Sequence, residues 1–199
     1  MKLRDIVRIT IMTVIAFVLE MAGGYLSMVF GPYMLFINHS LASLIVAPVF
    51  FTLCHKIAKR GTLFFYYLIM GIIYSVMGFW PMIFILLATA IVAELIIGAP
   101  KNYHDNKRLT LTFVIAQLVF AMHGLIFFVV LKPEGLIKAF PDMFTAEAIE
   151  QMSAFYAQTV NVIAVIIIQI LISYIGAKFG IYIYNKFFSK KDKAESVLD

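Results

Sequence analysis

The sequence predicts an all-α integral membrane protein, a bundle of six transmembrane helices in one domain covering residues 1–199. Composition is the first observation, with 63% apolar and 14% charged residues against about half and a quarter in soluble domains. A mean hydropathy of +0.96 agrees with it. The second observation is that the apolar residues form membrane-length stretches. The third is that basic residues flank these stretches on alternate sides.

A helix of about 20 apolar residues crosses the hydrocarbon core of a bilayer. Trp80-Pro81 joins two short spans in a tight outer hairpin, because proline fits the first turn of a helix. The outer loop is expected to contain a short amphipathic helix with Thr145 as its N-cap. The predicted segments are spans near 7–29, 33–54, 62–79, 81–98, 109–131 and 156–188, the outer loop 132–155 and the cytoplasmic tail 189–199.

The charge pattern predicts the orientation. All of the 16 Lys and Arg except Lys132 and Lys138 lie on one side of the six-span layout. Cytoplasmic loops retain Lys and Arg, so both termini are expected in the cytoplasm of a plasma-membrane protein. The alternative for the first stretch is a signal peptide cleaved near Ala22-Gly23-Gly24, but its apolar run is long for one. The flanking charges also account for the basic pI of 9.3, so nucleic acid is not an expected partner.

Several catalytic and cofactor motifs are missing from the sequence. It contains no GxxxxGK[ST] phosphate loop, HExxH, GxSxG or Cys/His pair at zinc spacing. Cys54 is the only cysteine, so no intrachain disulfide forms. The sequence therefore predicts no cofactor, no metal and no catalytic residue. Uphill transport would need a partner protein or an ion gradient.

Two acidic residues lie inside predicted spans, where ionisable groups are costly and usually functional. Glu94 is near the inner end of span four, where it is expected to pair with Lys101 or another basic loop residue, or to serve a helix end. Glu20 lies about 20 Å along its helix from Arg8, in the outer half of the membrane.

Other polar residues are predicted at the level of Glu20. Polar groups from separate helices at one depth suit a cavity for a small polar solute. For any single His or Asn the alternative is an interhelical hydrogen bond, and for Trp80, Tyr25, Tyr33 and Tyr156 it is the aromatic belt at the interface. The predicted substrate-binding residues are Glu20, Asn38, His39, Trp80, His123, Gln158 and Asn161.

Small residues predict close helix contacts in two spans. Span six carries a small-xxx-small face, which allows helices to approach closely. In span one, Thr13 and Ala16 are predicted to meet a partner helix nearer the cytoplasm. The small residues of span six are Ser173, Gly176, Ala177 and Gly180.

The chain resembles the substrate-binding S-components of energy-coupling factor (ECF) vitamin transporters, and within them the Trep_Strep-type integral membrane proteins. The likeness covers most of the chain and is weakest in the outer loop. The segments that carry it are LRDIVRITIMTVIAFVLEMAGGYLS, FINHSLASLIVAPVFFTLCHKIAKRGTL and GIIYSVMGFWPMIFILLATAIVAELI.

The resemblance implies a subunit that binds a micronutrient from outside and topples in the membrane after docking. Its implied partners are a transmembrane coupling protein and two cytoplasmic ATPase subunits. Several family members dock through an AxxxA pattern in helix one. This sequence lacks that pattern and has Thr13 and Ala16 but no such pair. Vitamin B6 forms are the first candidate substrates, because a cationic or zwitterionic pyridine ring suits Glu20, histidines and aromatic faces.

Two other functions remain open from the sequence. One is an autonomous secondary carrier with Glu20 and His123 in a proton relay, although the sequence shows no internal repeat. The other is an intramembrane enzyme with Glu20 or His39 as general base, although no paired carboxylates or metal ligands occur at a useful spacing.

Overall fold

The protein is described by a computed structural model covering residues 1–27, 29, 34–139 and 145–189. The predicted connection at Gly31-Pro32, Tyr33 and the tail beyond Ser189 lie outside these residues. A 3₁₀ helix occupies Pro100–His104. The α-helices are α1 Leu3–Leu26, α2 Met34–Lys56, α3 Thr62–Val76, α4 Met82–Ile97, α5 Asn106–Ala121, α6 His123–Ala139, α7 Ala146–Tyr156 and α8 Thr159–Phe187.

Among the described residues, four helical segments are long and apolar enough to cross a membrane: α1, most of α2, Asn106–Ile126 and α8. The apolar helices α3 and α4 are shorter, with 15 and 16 residues, or about 22–24 Å at the helical rise. They form the predicted hairpin, in which Pro81 is the N-cap of α4. Gly78 in the turn has φ 96°, a left-handed conformation that glycine adopts without strain.

Six helices close into a ring. α1 packs against α2, α2 against α8, α8 against α5, α5 against α4, α4 against α3, and α3 against α1. Large aromatic side chains fill much of the interior, among them Phe50, Tyr66 and Phe113, all fully or almost fully buried. Ring closure turns the inner faces of α1, α2 and α5 toward one another, which decides which polar residues meet.

The predicted span 109–131 is helical through Ile126, with one irregular turn at Met122. α5 ends at Ala121 and α6 begins at His123. The predicted outer loop 132–155 begins with further helix, which resumes beyond Lys132 and ends at Ala139. Lys132 leaves helical geometry, with φ 57° and ψ 170°. Pro133 follows it, and proline suits the first turn of a new helix because its φ is already helical.

The short helix predicted in the outer loop is confirmed as α7. The Thr145 hydroxyl accepts a hydrogen bond from the backbone amide of Ala148 at 3.2 Å, as an N-cap does. Ile149 of α7 is buried with Leu136 of α6, and Phe79 from the α3–α4 hairpin packs against them. These contacts place the α6–α7 segment over the hairpin end of the ring.

Glycines of α8 allow its close contact with α2. A Cβ added at Gly180 would lie 2.8 Å from the Ala47 carbonyl oxygen, and one at Gly176 would lie 3.1 Å from Leu44 Cα. Ser173 and Ala177 are fully buried on the same face of α8. The small residues of span six therefore let two backbones touch within this chain.

At the opposite end of the bundle, Glu94 serves a helix end, the second of its two predicted roles, and not a salt bridge. Its Oε1 atom accepts hydrogen bonds from the Leu63 amide at 3.0 Å and from the Tyr103 hydroxyl at 2.7 Å. Burial raises the pKa of Tyr103 well above its ordinary value, so the phenol remains a donor. Glu94 thus accepts hydrogen bonds from the first turn of α3, where backbone amides lack helical partners.

Candidate functional site

The centre of the candidate site is a pair of ionisable side chains from neighbouring helices. Glu20 lies on the inner face of α1 and His39 on the inner face of α2, near their ends on the hairpin side of the ring. Glu20 Oε1 lies 2.7 Å from His39 Nδ1, and the side chains are only 5% and 6% exposed. Burying such groups in a membrane protein is costly unless they are paired.

Gln117 of α5 extends the pair to a third helix. Its Oε1 atom lies 2.9 Å from His39 Nε2, and the residue is 1% exposed. Glu20, His39 and Gln117 thus form one chain of polar contacts across α1, α2 and α5, with a ring nitrogen of His39 at each of its two contacts.

Two polar atoms of this triad remain available for a solute. Among the described residues, the second carboxylate oxygen of Glu20 and the amide nitrogen of Gln117 have no hydrogen-bond partner. One atom accepts hydrogen bonds and the other donates them. The triad can therefore recognise a molecule that presents both a donor and an acceptor.

Aromatic rings surround the triad. The Phe120 ring lies 4.1 Å from that of His39, and Tyr74 packs edge-on against both Phe120 and Phe17, with centroids 6.0 and 5.1 Å apart. Phe79 contacts Tyr74 from the hairpin side at 6.1 Å. A few polar atoms among aromatic faces are typical of sites for small organic molecules.

His123 lies beside the triad at the start of α6. Its ring centroid is 6.2 Å from that of His39, and its Nδ1 atom is 2.8 Å from the Phe120 carbonyl oxygen. This backbone contact fixes the orientation of the ring. Gly124 follows it, and a Cβ there would lie 2.9 Å from the Tyr156 hydroxyl of α7. The α7 segment thus covers the region next to His123.

A second polar network lies on the other face of α2. The Ser40 hydroxyl donates to Gln169 Oε1 at 2.7 Å, and the Gln169 amide donates to the Ser173 hydroxyl at 2.7 Å. Ser43 lies 3.3 Å from Ser173, hydroxyl to hydroxyl. Both polar atoms of the Gln169 amide are therefore used, so this network joins α2 to α8 and leaves little capacity for a ligand.

The remaining predicted binding residues do not join the triad. Asn38 is adjacent in sequence, but its side chain accepts from the His39 amide at 2.6 Å. Trp80 is 52% exposed at the hairpin turn, where its ring packs on Phe84. Among the described residues, no contact links them or the two residues at the start of α8 to Glu20.

Gln158 and Asn161 lie at the beginning of α8 and are satisfied locally. The Asn161 amide donates to the Phe155 carbonyl oxygen at 3.2 Å and lies 3.4 Å from the Gln158 side chain. Gln158 is the N-cap residue of α8 and is exposed. The structure assigns both side chains to the α7–α8 connection rather than to the triad.

The docking face predicted from Thr13 and Ala16 is not at the surface. Both residues are fully buried in the ring interior, and the Thr13 hydroxyl donates to the Ile9 carbonyl oxygen of its own helix at 2.8 Å. The prediction assumed that small residues mark an outer contact. In a closed ring they serve equally well to let neighbouring helices of the same chain pack.

Sequence reasoning missed the polar residues of α5 and α8 that complete the two networks. Gln117 and Gln169 each stand alone in a long apolar segment and are 1% exposed. An uncharged amide in a membrane span must find a hydrogen-bond partner. That rule, applied to Gln as it was to Glu and His, would have identified both residues.

The ring of long apolar helices with a buried ionisable pair defines an α-helical, multi-pass integral membrane protein. A family model described as a hypothetical bacterial integral membrane protein (Trep_Strep) matches residues 3–190. Because the match covers almost the whole chain, the protein belongs to this family. Comparisons with curated proteins and with solved structures found no match.

Proposed function

We propose that this protein is the substrate-binding membrane subunit of an ECF-type importer, which captures a vitamin or similar micronutrient from outside the cell. The observation that carries the proposal is the buried Glu20–His39–Gln117 triad, in which three helices bring polar atoms together among aromatic rings. The family to which the chain belongs is described as integral membrane proteins, which agrees with this role. The proposed role is binding and delivery, not catalysis.

The proposed orientation places the triad on the outer side of the plasma membrane. Both termini are cytoplasmic in this layout, since nearly all Lys and Arg then lie inside. All six helices of the ring cross the membrane, with α3 and α4 as the two short spans. Glu20 and His39 lie at the hairpin end of the ring, which faces outward in this orientation.

The chemistry of the triad supports a small polar solute. The free acceptor of Glu20 and the Gln117 donor match a molecule with both kinds of group. The adjacent Phe120 and Tyr74 rings suit a flat ring system. Vitamin B6 forms, which combine a pyridine ring with hydroxyl groups and have zwitterionic forms, remain the first candidates.

An energy source outside the chain is part of the proposal. The sequence contains no phosphate loop, so ATP hydrolysis would come from a coupling protein and two ATPase subunits. Because Thr13 and Ala16 are buried, docking would use exposed residues of α1 or another helix.

Gentle purification followed by mass spectrometry of retained small molecules tests the proposal. We expect one vitamin-like molecule in stoichiometric amount, and copurification of an ATPase module from the native membrane. No retained solute, no binding to a vitamin panel and no ATPase module would together contradict it.

A secondary carrier is the second candidate, and the Glu20–His39 contact of 2.7 Å favours it because such a pair can share and release a proton. Purified protein alone in liposomes distinguishes the two. Uptake driven by a pH gradient would identify a carrier, whereas binding without uptake agrees with a subunit of an importer.

A further inference from the structure

The exposed face of α8 changes character along its length. From Val160 to Leu171 its exposed large side chains are apolar, as expected of a surface in contact with lipid tails. From Tyr174 onward the same helix exposes tyrosines and lysines beside the apolar Ile175, Phe179 and Phe187. The helix has 29 residues, or about 44 Å, against a hydrocarbon core of about 30 Å. Part of its C-terminal third therefore lies at the level of lipid headgroups.

Tyrosine and lysine alternate on this face at every fourth position. Tyr174, Lys178, Tyr182 and Lys186 are all exposed, and each is a surface neighbour of the next because residues four apart are adjacent on a helix. The row therefore winds gradually around α8. The Lys178 ammonium lies 5.0 Å from the Tyr174 ring centroid, and that of Lys186 lies 5.5 Å from the Tyr182 ring. Lys186 also donates to the Tyr182 hydroxyl at 3.2 Å. We call these four residues the Tyr-Lys ladder.

The ladder is not part of the bundle interface. Gly176, Ala177 and Gly180 occupy the buried face of the same segment, where α8 meets α2. The two tyrosines of the ladder are 48% and 55% exposed. Among the described residues, no carboxylate forms an ion pair with either lysine, so the lysine charges are available to an external anion.

We propose that the Tyr-Lys ladder is a binding site for the phosphate of anionic phospholipid headgroups. Tyrosine rings favour the membrane interface, where the ring is apolar and the hydroxyl is solvated. Lysine ammonium groups attract anionic headgroups. Successive ladder residues lie about 6 Å apart along the helix axis. Each lysine can therefore bind a phosphate, while the tyrosine beside it fixes the lysine side chain and offers its own hydroxyl. The site holds α8 at a set depth in an anionic leaflet.

Nanodiscs containing phosphatidylcholine alone, or with about one third phosphatidylglycerol, provide the test. Native mass spectrometry counts retained phosphatidylglycerol, and thermal unfolding reports stabilisation. We expect the wild type to retain phosphatidylglycerol in preference to phosphatidylcholine. In the Lys178→Gln/Lys186→Gln variant this preference should fall about fivefold for each lysine replaced. Tyr182→Phe should reduce it by a smaller factor.

The matched control is Lys101→Gln/Lys107→Gln, which removes two exposed lysines on the same predicted side of the membrane, far along the chain from the ladder. Phosphatidylglycerol preference should be unchanged in this control. Unchanged preference in the ladder variant would overturn the proposal, and so would an equal loss in the control. If the ladder variant instead kept its lipid preference but lost an ATPase module, the face would be a protein-docking surface and the lipid site would be wrong.

Discussion

The two faces of α2 carry polar residues of very different kinds. His39 faces α1 and α5 and contacts Glu20 and Gln117, both of which keep a polar atom without a partner in the part of the chain that the structure describes. Ser40, the next residue, faces α8 and belongs to a network in which Gln169 uses both ends of its amide. A buried polar group therefore does not by itself indicate a binding site. The difference lies in remaining hydrogen-bonding capacity, because backbones approach closely on both faces, at Gly23–Ala42 and at Gly180–Ala47.

The largest expected effect is on the face that contains His39. Glu20→Gln removes the carboxylate but keeps the size of the side chain. Hydrogen bonds to charged groups contribute about 1.5–3 kcal/mol, so affinity for pyridoxine, or for the solute identified by mass spectrometry, should fall about tenfold to more than a hundredfold. Isothermal titration calorimetry measures this change.

Glu94→Gln is the matched control for Glu20→Gln, because Glu94 is also a glutamate in a helix of the ring but caps α3 at the opposite end. It should lower the thermal unfolding temperature and leave affinity unchanged. If Glu94→Gln weakened binding as much as Glu20→Gln, the triad would have no special role in recognition.

Close packing should dominate on the face that contains Ser40. In Gly180→Ala the new Cβ would lie 2.7 Å from Phe51 Cδ2 and 2.8 Å from the Ala47 carbonyl oxygen, so α2 and α8 must separate. Such overpacking costs about 1–3 kcal/mol of unfolding free energy. Denaturant unfolding in detergent measures it, with solute affinity as the second readout.

Gly24→Ala is the control for Gly180→Ala, since a Cβ at Gly24 meets nothing within 4 Å. It should be neutral or stabilise α1 by up to about 1 kcal/mol, through the higher helix propensity of alanine. Equal destabilisation by both variants would mean that the α2–α8 contact is not as close as the structure indicates.

The smallest expected effect is that of Gln169→Leu. This substitution removes the hydrogen bond from Ser40 of α2 and the one to Ser173 within α8. Interhelical hydrogen bonds in membrane proteins contribute about 0.6 kcal/mol on average and at most about 1.7. Unfolding free energy should therefore fall by about 1 kcal/mol with unchanged affinity. A large loss of affinity in this variant would mean that both faces of α2 take part in binding.

Much of the fold was predictable because apolar length and basic flanks are properties of the sequence. The bounds of α2, α3 and α4 agree with the predicted spans within a few residues. The break at Met122 and the helix beyond Pro133 were not predicted. An apolar run has the same hydropathy whether the helix is continuous or kinked, and proline is compatible with both a loop and a helix start.

The sequence allowed us to predict how far along its helix each site residue lies. It did not allow us to predict which way the side chain faces around the helix axis. Glu20 and His39 were expected at one level and are in contact. Gln158 and Asn161 were expected at that level as well, yet they bond within the α7–α8 connection. The inward face of a helix depends on its two neighbours in the ring, and hydropathy patterns contain no information on neighbour order.

The closure of the ring by α8 has a consequence for biosynthesis. Ser40 and its partner Gln169 are 129 residues apart in the chain. The serine-bearing side of α2 is therefore inserted long before its permanent partner is translated, and until then it must be shielded by lipid, by the insertion machinery or by temporary contacts. Assembly of the native bundle is accordingly a late, post-insertion event, and truncations that remove the last helix should leave the earlier ones exposed to membrane quality control.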